Sequence, residues 1–233
     1  MRTNPYPGFF IVLEGIDRSG KHTQGQLISA YLRQQGAEAL FTHEPWWGNI
    51  TDNDRRLERI IKNEETASVA EIQKLFIDNR RRHLTEEINP KLNRAGRSGS
   101  EESSDSMSSK SRTAVVCERY FLSTLAYGIA TNAASFDELL KTHETMEGFI
   151  LPDLTLLFDI SAKVAIQRLG PKADVFEKEP LLEVVRSQYI SLANLFSDAT
   201  TVIIDGTGSE DEVFTSLLPY LEKAIREKYG QKE

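Results

Sequence analysis

The chain has 233 residues, of which 39% are hydrophobic and 27% charged, and its formal net charge is −7. This composition suits one α/β domain and excludes a largely disordered chain, while the acidic balance argues against a nucleic-acid-coating protein. The single cysteine, Cys117, excludes an internal disulfide, and the four scattered histidines do not have the spacing of a zinc cluster. No apolar run nears the ~20 residues of a membrane helix, and MRTNPYPGFF lacks the apolar stretch of a secretory leader. A cytoplasmic protein with no nucleic-acid or membrane partner is therefore expected.

In chain order, residues 9–13 (FFIVL) form the first buried strand and 21–35 a helix stopped by Gly36. A weaker strand follows at 39–42, then a long helix over 67–92 that breaks at Pro90. Segment 96–112, GRSGSEESSDSMSSKSR, holds eight serines and almost no apolar side chain, so it reads as a mobile insert. Strands at 113–117, 154–160 and 201–205 alternate with helices at 121–134, 161–168, 180–195 and 209–228, the last opened by a Ser209/Glu212 capping box. Short continuous apolar strands alternating with helices predict a single domain over 1–233. Its fold is a doubly wound parallel five-stranded sheet with helices on both faces. In such a sheet the insert enters its strand at the N-terminal edge, whereas ligands bind at the C-terminal edge.

The strongest chemical signal is FFIVLEGIDRSGKHTQ, residues 9–24. A buried strand runs into a Gly15…Gly20-Lys21 loop and then a helix, the order of a phosphate-binding P-loop. The glycines allow successive N–H groups to face one concavity, and the helix start adds positive potential. Gly15, Ile16, Asp17, Arg18, Ser19, Gly20, Lys21, His22 and Thr23 are the expected phosphate cradle. Lys21 reaches the outer phosphates, and Arg18 faces the transferring group, where it stabilises transition-state charge. Asp17 either accepts from a sugar hydroxyl or orients Arg18. His22 stands where the pattern wants a Ser or Thr for Mg²⁺, and imidazole suits that ion poorly. Mg²⁺ is then held by nucleotide oxygens, water and a carboxylate, or Thr23 compensates.

These residues, with FTHEP (41–45), LFIDNR (75–80), CERYFLSTLAY (117–127) and AIQR (165–168) downstream, resemble the thymidylate kinase family. The likeness spans nearly the whole chain apart from 96–112. It implies a P-loop kinase that moves a phosphoryl group from ATP to dTMP, with Mg²⁺ as cofactor, a small lid over 169–180 and the homodimer usual in that family. Arg18 and Lys21 become the catalytic pair, as in the subgroup that carries its catalytic arginine in the P-loop. Asp17, Glu44, Pro45, Phe76, Arg80, Arg119, Ser123 and Tyr127 become the acceptor site. Phe76 stacks on the pyrimidine, Arg80 donates to its carbonyl, Arg119 clamps the monophosphate and Tyr127 crowds the sugar 2′ position. Glu118 holds Mg²⁺ directly or through water. Arg168 stacks on adenine, with Gly206 and Thr207 beside it. His43, Trp46-Trp47 and Glu118 depart from the family pattern. A kinase for another nucleoside monophosphate or a nucleoside, or a nucleotide-binding regulatory protein with little turnover, are the alternatives.

Overall fold

The computed structural model describes residues 1–94, 112–168, 179–196 and 201–230. The serine-rich insert and the lid lie almost wholly outside these residues; Arg112 opens a strand, and Glu179 and Pro180 open a helix. Strands β1 (Phe9–Glu14), β2 (Ala37–His43), β3 (Arg112–Glu118), β4 (Leu154–Asp159) and β5 (Thr201–Asp205) form a parallel sheet in the order β2-β3-β1-β4-β5. β1 is central and wholly buried, with Ile11 opposite Val116 on one side and Leu154 on the other. The chain leaves β1 where the strand order reverses, the crevice in which open α/β sheets bind ligands.

The pleat divides β1 between two cores. Phe10 and Val12 pack with Val115 and Leu157 under helices α5 (Phe121–Ala130) and α8 (Glu179–Leu195). Phe9, Ile11 and Leu13 pack on the other face under α1 (Lys21–Gln34) and α9 (Glu210–Gly230). Both faces are thus covered, which is why these strands read as unbroken apolar runs.

The helices between strands are more finely divided than the periodicity predicts. The stretch expected as one helix over 67–92 is α3 (Val69–His83), a π turn (Leu84–Ile88) and a short α4 (Asn89–Asn93). Pro90 does not break the helix; it sits in the first turn of α4, where no N–H donor is required. Helices α2 (Asp52–Ile61) and α6 (Phe136–Thr145) were not expected. Each begins with a reciprocal capping box, Thr51 with Asp54 and Ser135 with Glu138, as α3 does with Ser68 and Glu71. A short α7 (Ala162–Arg168) follows β4. Ile72 and Leu75 meet Leu57 and Ile60 of α2, and α5 is buried from Phe121 to Ala126. Among the described residues no helix is long and apolar enough to cross a membrane.

Candidate active site

The loop after β1 is shaped by main-chain geometry. Gly15 has φ +137°, and a Cβ there would lie 2.5 Å from the Phe158 carbonyl oxygen. Gly20, at φ +94°, caps α1 without any side-chain hydrogen bond, so the first N–H groups of the helix stay available to an anion. Arg18 (φ +63°) also adopts the left-handed region, as does Arg119 (φ +66°) just beyond β3. Non-glycine residues in that region carry strain on the order of 1 kcal/mol or more, and such strain concentrates at functional sites. Lys21 is buried beneath the loop, its Nζ donating to the Ile16 carbonyl at 2.7 Å. Burial, with Arg119 nearby, lowers its ammonium to about 8.

Asp17 joins this loop to the next element. Its Oδ1 accepts from an Arg119 Nη2 and its Oδ2 from the Tyr127 hydroxyl at 2.9 Å. Burial works to raise its pKa, but Arg119, Lys21 and Tyr127 outweigh it and hold the carboxyl at about 2. Arg119 lies over the Tyr127 ring, 5.6 Å from its centroid, and its N–H donates to the Leu13 carbonyl at 2.8 Å. Beneath them is Glu14, wholly buried at the end of β1. Its carboxylate accepts from the Ser123 hydroxyl at 2.6 Å and from the Tyr120 N–H at 2.9 Å, and burial pushes its pKa up. Ser123 therefore spends its hydroxyl on Glu14.

From Asp17 a cleft opens between α2, α3 and α5, with a volume out to its mouth of ≈ 780 Å³. The cleft brings together Asp17, Glu44, Pro45, Phe76, Arg80, Arg119, Ser123 and Tyr127, drawn from four separate stretches of chain. It also includes Ile61, Val69, Ile72, Gln73 and Thr124, which the sequence reading missed.

Arg80, at 2% exposure, gives all its donors to the protein. Nε and Nη2 meet Glu44 Oε2 at 2.7 and 2.5 Å, and Nη2 also donates to the Tyr120 carbonyl at 2.8 Å. Nη1 donates to Thr124 Oγ1 at 2.5 Å and to His143 Nε2 at 2.9 Å. That last bond fixes His143 as neutral with Nδ1–H donating to the Leu139 carbonyl; burial and Arg80 bring its pKa down to about 4. Behind Glu44, His83 is fully buried, facing Glu44 at 3.5 Å and Glu87 at 3.1 Å. Burial lowers its pKa, yet the two carboxylates raise it overall. Trp46 stacks flat on His83 and lies under the Arg82 guanidinium, so this tryptophan is packing beneath a loop.

On the donor side, Arg168 ties the loop to the turn after β5. Its Nη1 donates to the Arg18 carbonyl at 3.2 Å, and its Nη2 to the carbonyls of Gly206 at 3.0 Å and Thr207 at 3.2 Å. His22 is not poised as a ligand. Gln26 donates to its Nε2 at 3.1 Å, which leaves Nδ1–H to donate to Glu118 Oε2, also at 3.1 Å. An ion that prefers oxygen would find the Glu118 carboxylate suitable and the imidazole not. Thr23 is half-buried in the first turn of α1.

A phosphate cradle at the switch point of a parallel sheet, continuous with an apolar cleft carrying a fixed arginine, defines a P-loop nucleotide kinase. The sequence model described as thymidylate kinase matches residues 13–98 and 99–217. The chain belongs to the thymidylate kinase family. It is 32% identical to the thymidylate kinase of Thermosipho africanus, covering 93% of this chain and 99% of that one. It is 30% identical to a probable thymidylate kinase of Pyrococcus abyssi, covering 91% and 94%. The solved structure of thymidylate kinase from Candida albicans superposes with a TM-score of 0.74 over 94% of this chain and 92% of that chain; at 23% identity it bears on the fold.

Proposed function

We infer that the chain catalyses ATP-dependent phosphorylation of dTMP, ATP + dTMP → ADP + dTDP. The observation that carries the reading is the Asp17–Arg119 contact, where the phosphate loop and the acceptor cleft become one site. Phosphoryl transfer asks for in-line positioning and cations around the moving group, with little covalent help. In this reading the loop amides and Lys21 hold the ATP phosphates, and Arg18 sits at the γ-phosphoryl group. Arg119 turns from Asp17 to clamp the dTMP phosphate, and Asp17 is then free to accept from the sugar. Phe76 stacks on the base, and Tyr127 closes the sugar pocket. Arg168, Gly206 and Thr207 flank adenine. Mg²⁺, when bound, neutralises charge on the phosphates, and Glu118 is the protein oxygen suited to it.

The test is a coupled assay of ADP formation with dTMP, dUMP, dCMP and dGMP as acceptors. The expected result is highest kcat/KM with dTMP. Preference for another monophosphate would move the acceptor assignment, and ATP binding without product would leave a regulatory protein.

A further inference from the structure

Among the described residues two side chains of the cleft bury an oxygen without a hydrogen-bond partner, Glu44 and Gln73; Glu44 Oε1 faces His83 Nδ1 at 3.5 Å, whereas Gln73 has no charged group against it. It is 6% exposed, and its buried Oε1 has no hydrogen-bond partner among the described residues. Burying an amide group unpaired is unfavourable, so such a group in a cleft points to a ligand. Gln73, Phe76 and Arg80 stand at i, i+3 and i+7 on α3, hence on one face, with the amide one turn from the expected stacking ring. Gly128 of α5 packs against it: a Cβ there would meet Leu139 Cδ1 at 2.6 Å and Gln73 Nε2 at 3.3 Å. Arg80, buried in the cleft beside Glu44, Ser123 and Thr124, turns its N–H groups to Glu44, Thr124, His143 and Tyr120. It can donate to a base only by giving up a protein bond.

We propose that Gln73 is a specificity-determining residue that reads the edge of the acceptor base. A carboxamide presents an acceptor and a donor side by side, the complement of the N3–H and O4 of a thymine ring. Two in-plane hydrogen bonds from Gln73 then fix the orientation of a ring stacked on Phe76, while Arg80 holds the cleft floor rigid. This rests on the cleft being the acceptor site.

The experiment compares wild type with Gln73→Leu, and with Gln73→Met as a second near-isosteric variant, in kcat, KM and thermal midpoint. The expected result is a KM for dTMP raised about tenfold, with kcat and the KM for ATP little changed. The penalty that wild type shows against N3-methylated dTMP shrinks in both variants, because the lost contact is the one the methyl group blocks. The nucleotide-free variants melt no lower than wild type, since an apolar side chain replaces an unpaired buried amide. An unchanged KM for dTMP, or a raised KM with a lower midpoint in both variants, would overturn the proposal and leave Gln73 a packing residue. Phe76→Ala separates the two layers of inference. If it raises the KM for dTMP while the Gln73 variants do not, Gln73 alone is misassigned. If it leaves that KM unchanged, the cleft itself is not the acceptor site.

Discussion

The two halves of the site are built from different materials. The donor half is main chain: one strand end, a tight loop and a helix start, contiguous from Glu14 to Thr23, with Gly15 where a side chain would collide and Gly20 at positive φ. The acceptor half is side chain: residues from the turn after β2 and from α3, α5 and α6 meet around a buried Glu44–Arg80 pair. A cradle of amides is tolerant of sequence but not of backbone shape. A cleft built on buried charge depends on each partner being present, because an orphaned charge in a dry interior is far more costly than the intact pair is favourable. The donor half should therefore fail in chemistry when altered, and the acceptor half in folding.

The largest effect is expected at the loop. Arg18→Ala should lower kcat on the order of 10³-fold while ATP binding, followed by calorimetry, stays close to wild type. An equal loss of binding and turnover would make Arg18 a structural anchor and erase the contrast. Next is Glu44→Gln, which strands the Arg80 guanidinium and His83 without their shared carboxylate. Chemical denaturation should show a loss of about 3 kcal/mol; a loss below 1 kcal/mol would mean that the cleft is no more brittle than the loop. Smaller still is a pH effect. Lys21 titrates near 8 in the nucleotide-free protein, so kcat/KM for ATP should fall as pH rises through that value, by about tenfold per unit beyond it. At saturating ATP the phosphate favours the ammonium, and the fall in kcat should begin at higher pH. A flat kcat/KM between pH 7 and 9 would remove Lys21 from the phosphate site. The smallest effect is at His22, whose ring is occupied by Gln26 and Glu118. His22→Thr should leave Mg²⁺-dependent turnover within a few-fold or raise it, and a sharp drop would give His22 a role of its own.

Asp17 adds a sign to the acid side. Its carboxyl sits near 2 in the fold against an ordinary 3.8, so its stabilising contribution is complete above pH 3.8 and disappears as pH falls toward 2. Acid inactivation at pH 4 to 5 is accordingly not expected from this residue.

The same division explains what could be read from the chain beforehand. The strands were legible because burial on both faces leaves no polar alternation, and the Gly15…Lys21 loop because its geometry is local. Helices α2 and α6 carried their own signals in Thr51/Asp54 and Ser135/Glu138, but their surfaces are charged and only ten residues long, so the capping pairs were passed over. The residues that share the cleft were named through resemblance to a family, not through spacing. What no local pattern could supply was the set of partners: those of Arg80 lie 36 to 63 positions away. Nor does a charged Glu14 at the end of an apolar run announce that it is wholly buried, or an ordinary Gln73 that its amide lacks a mate. Both facts arise only when distant elements close over them.

The shared grip on Asp17 has a thermodynamic corollary. Arg119 and Tyr127 hold this carboxylate from α5 and its preceding turn, while Lys21 faces it from within the loop. A monophosphate that draws Arg119 away leaves Asp17 to the remaining cation, and a triphosphate that occupies Lys21 leaves it to Arg119. In the proposed reading each nucleotide alters the electrostatic terms on which the other is received, and by linkage the alteration is equal in both directions. On that reading the two substrates communicate through one aspartate.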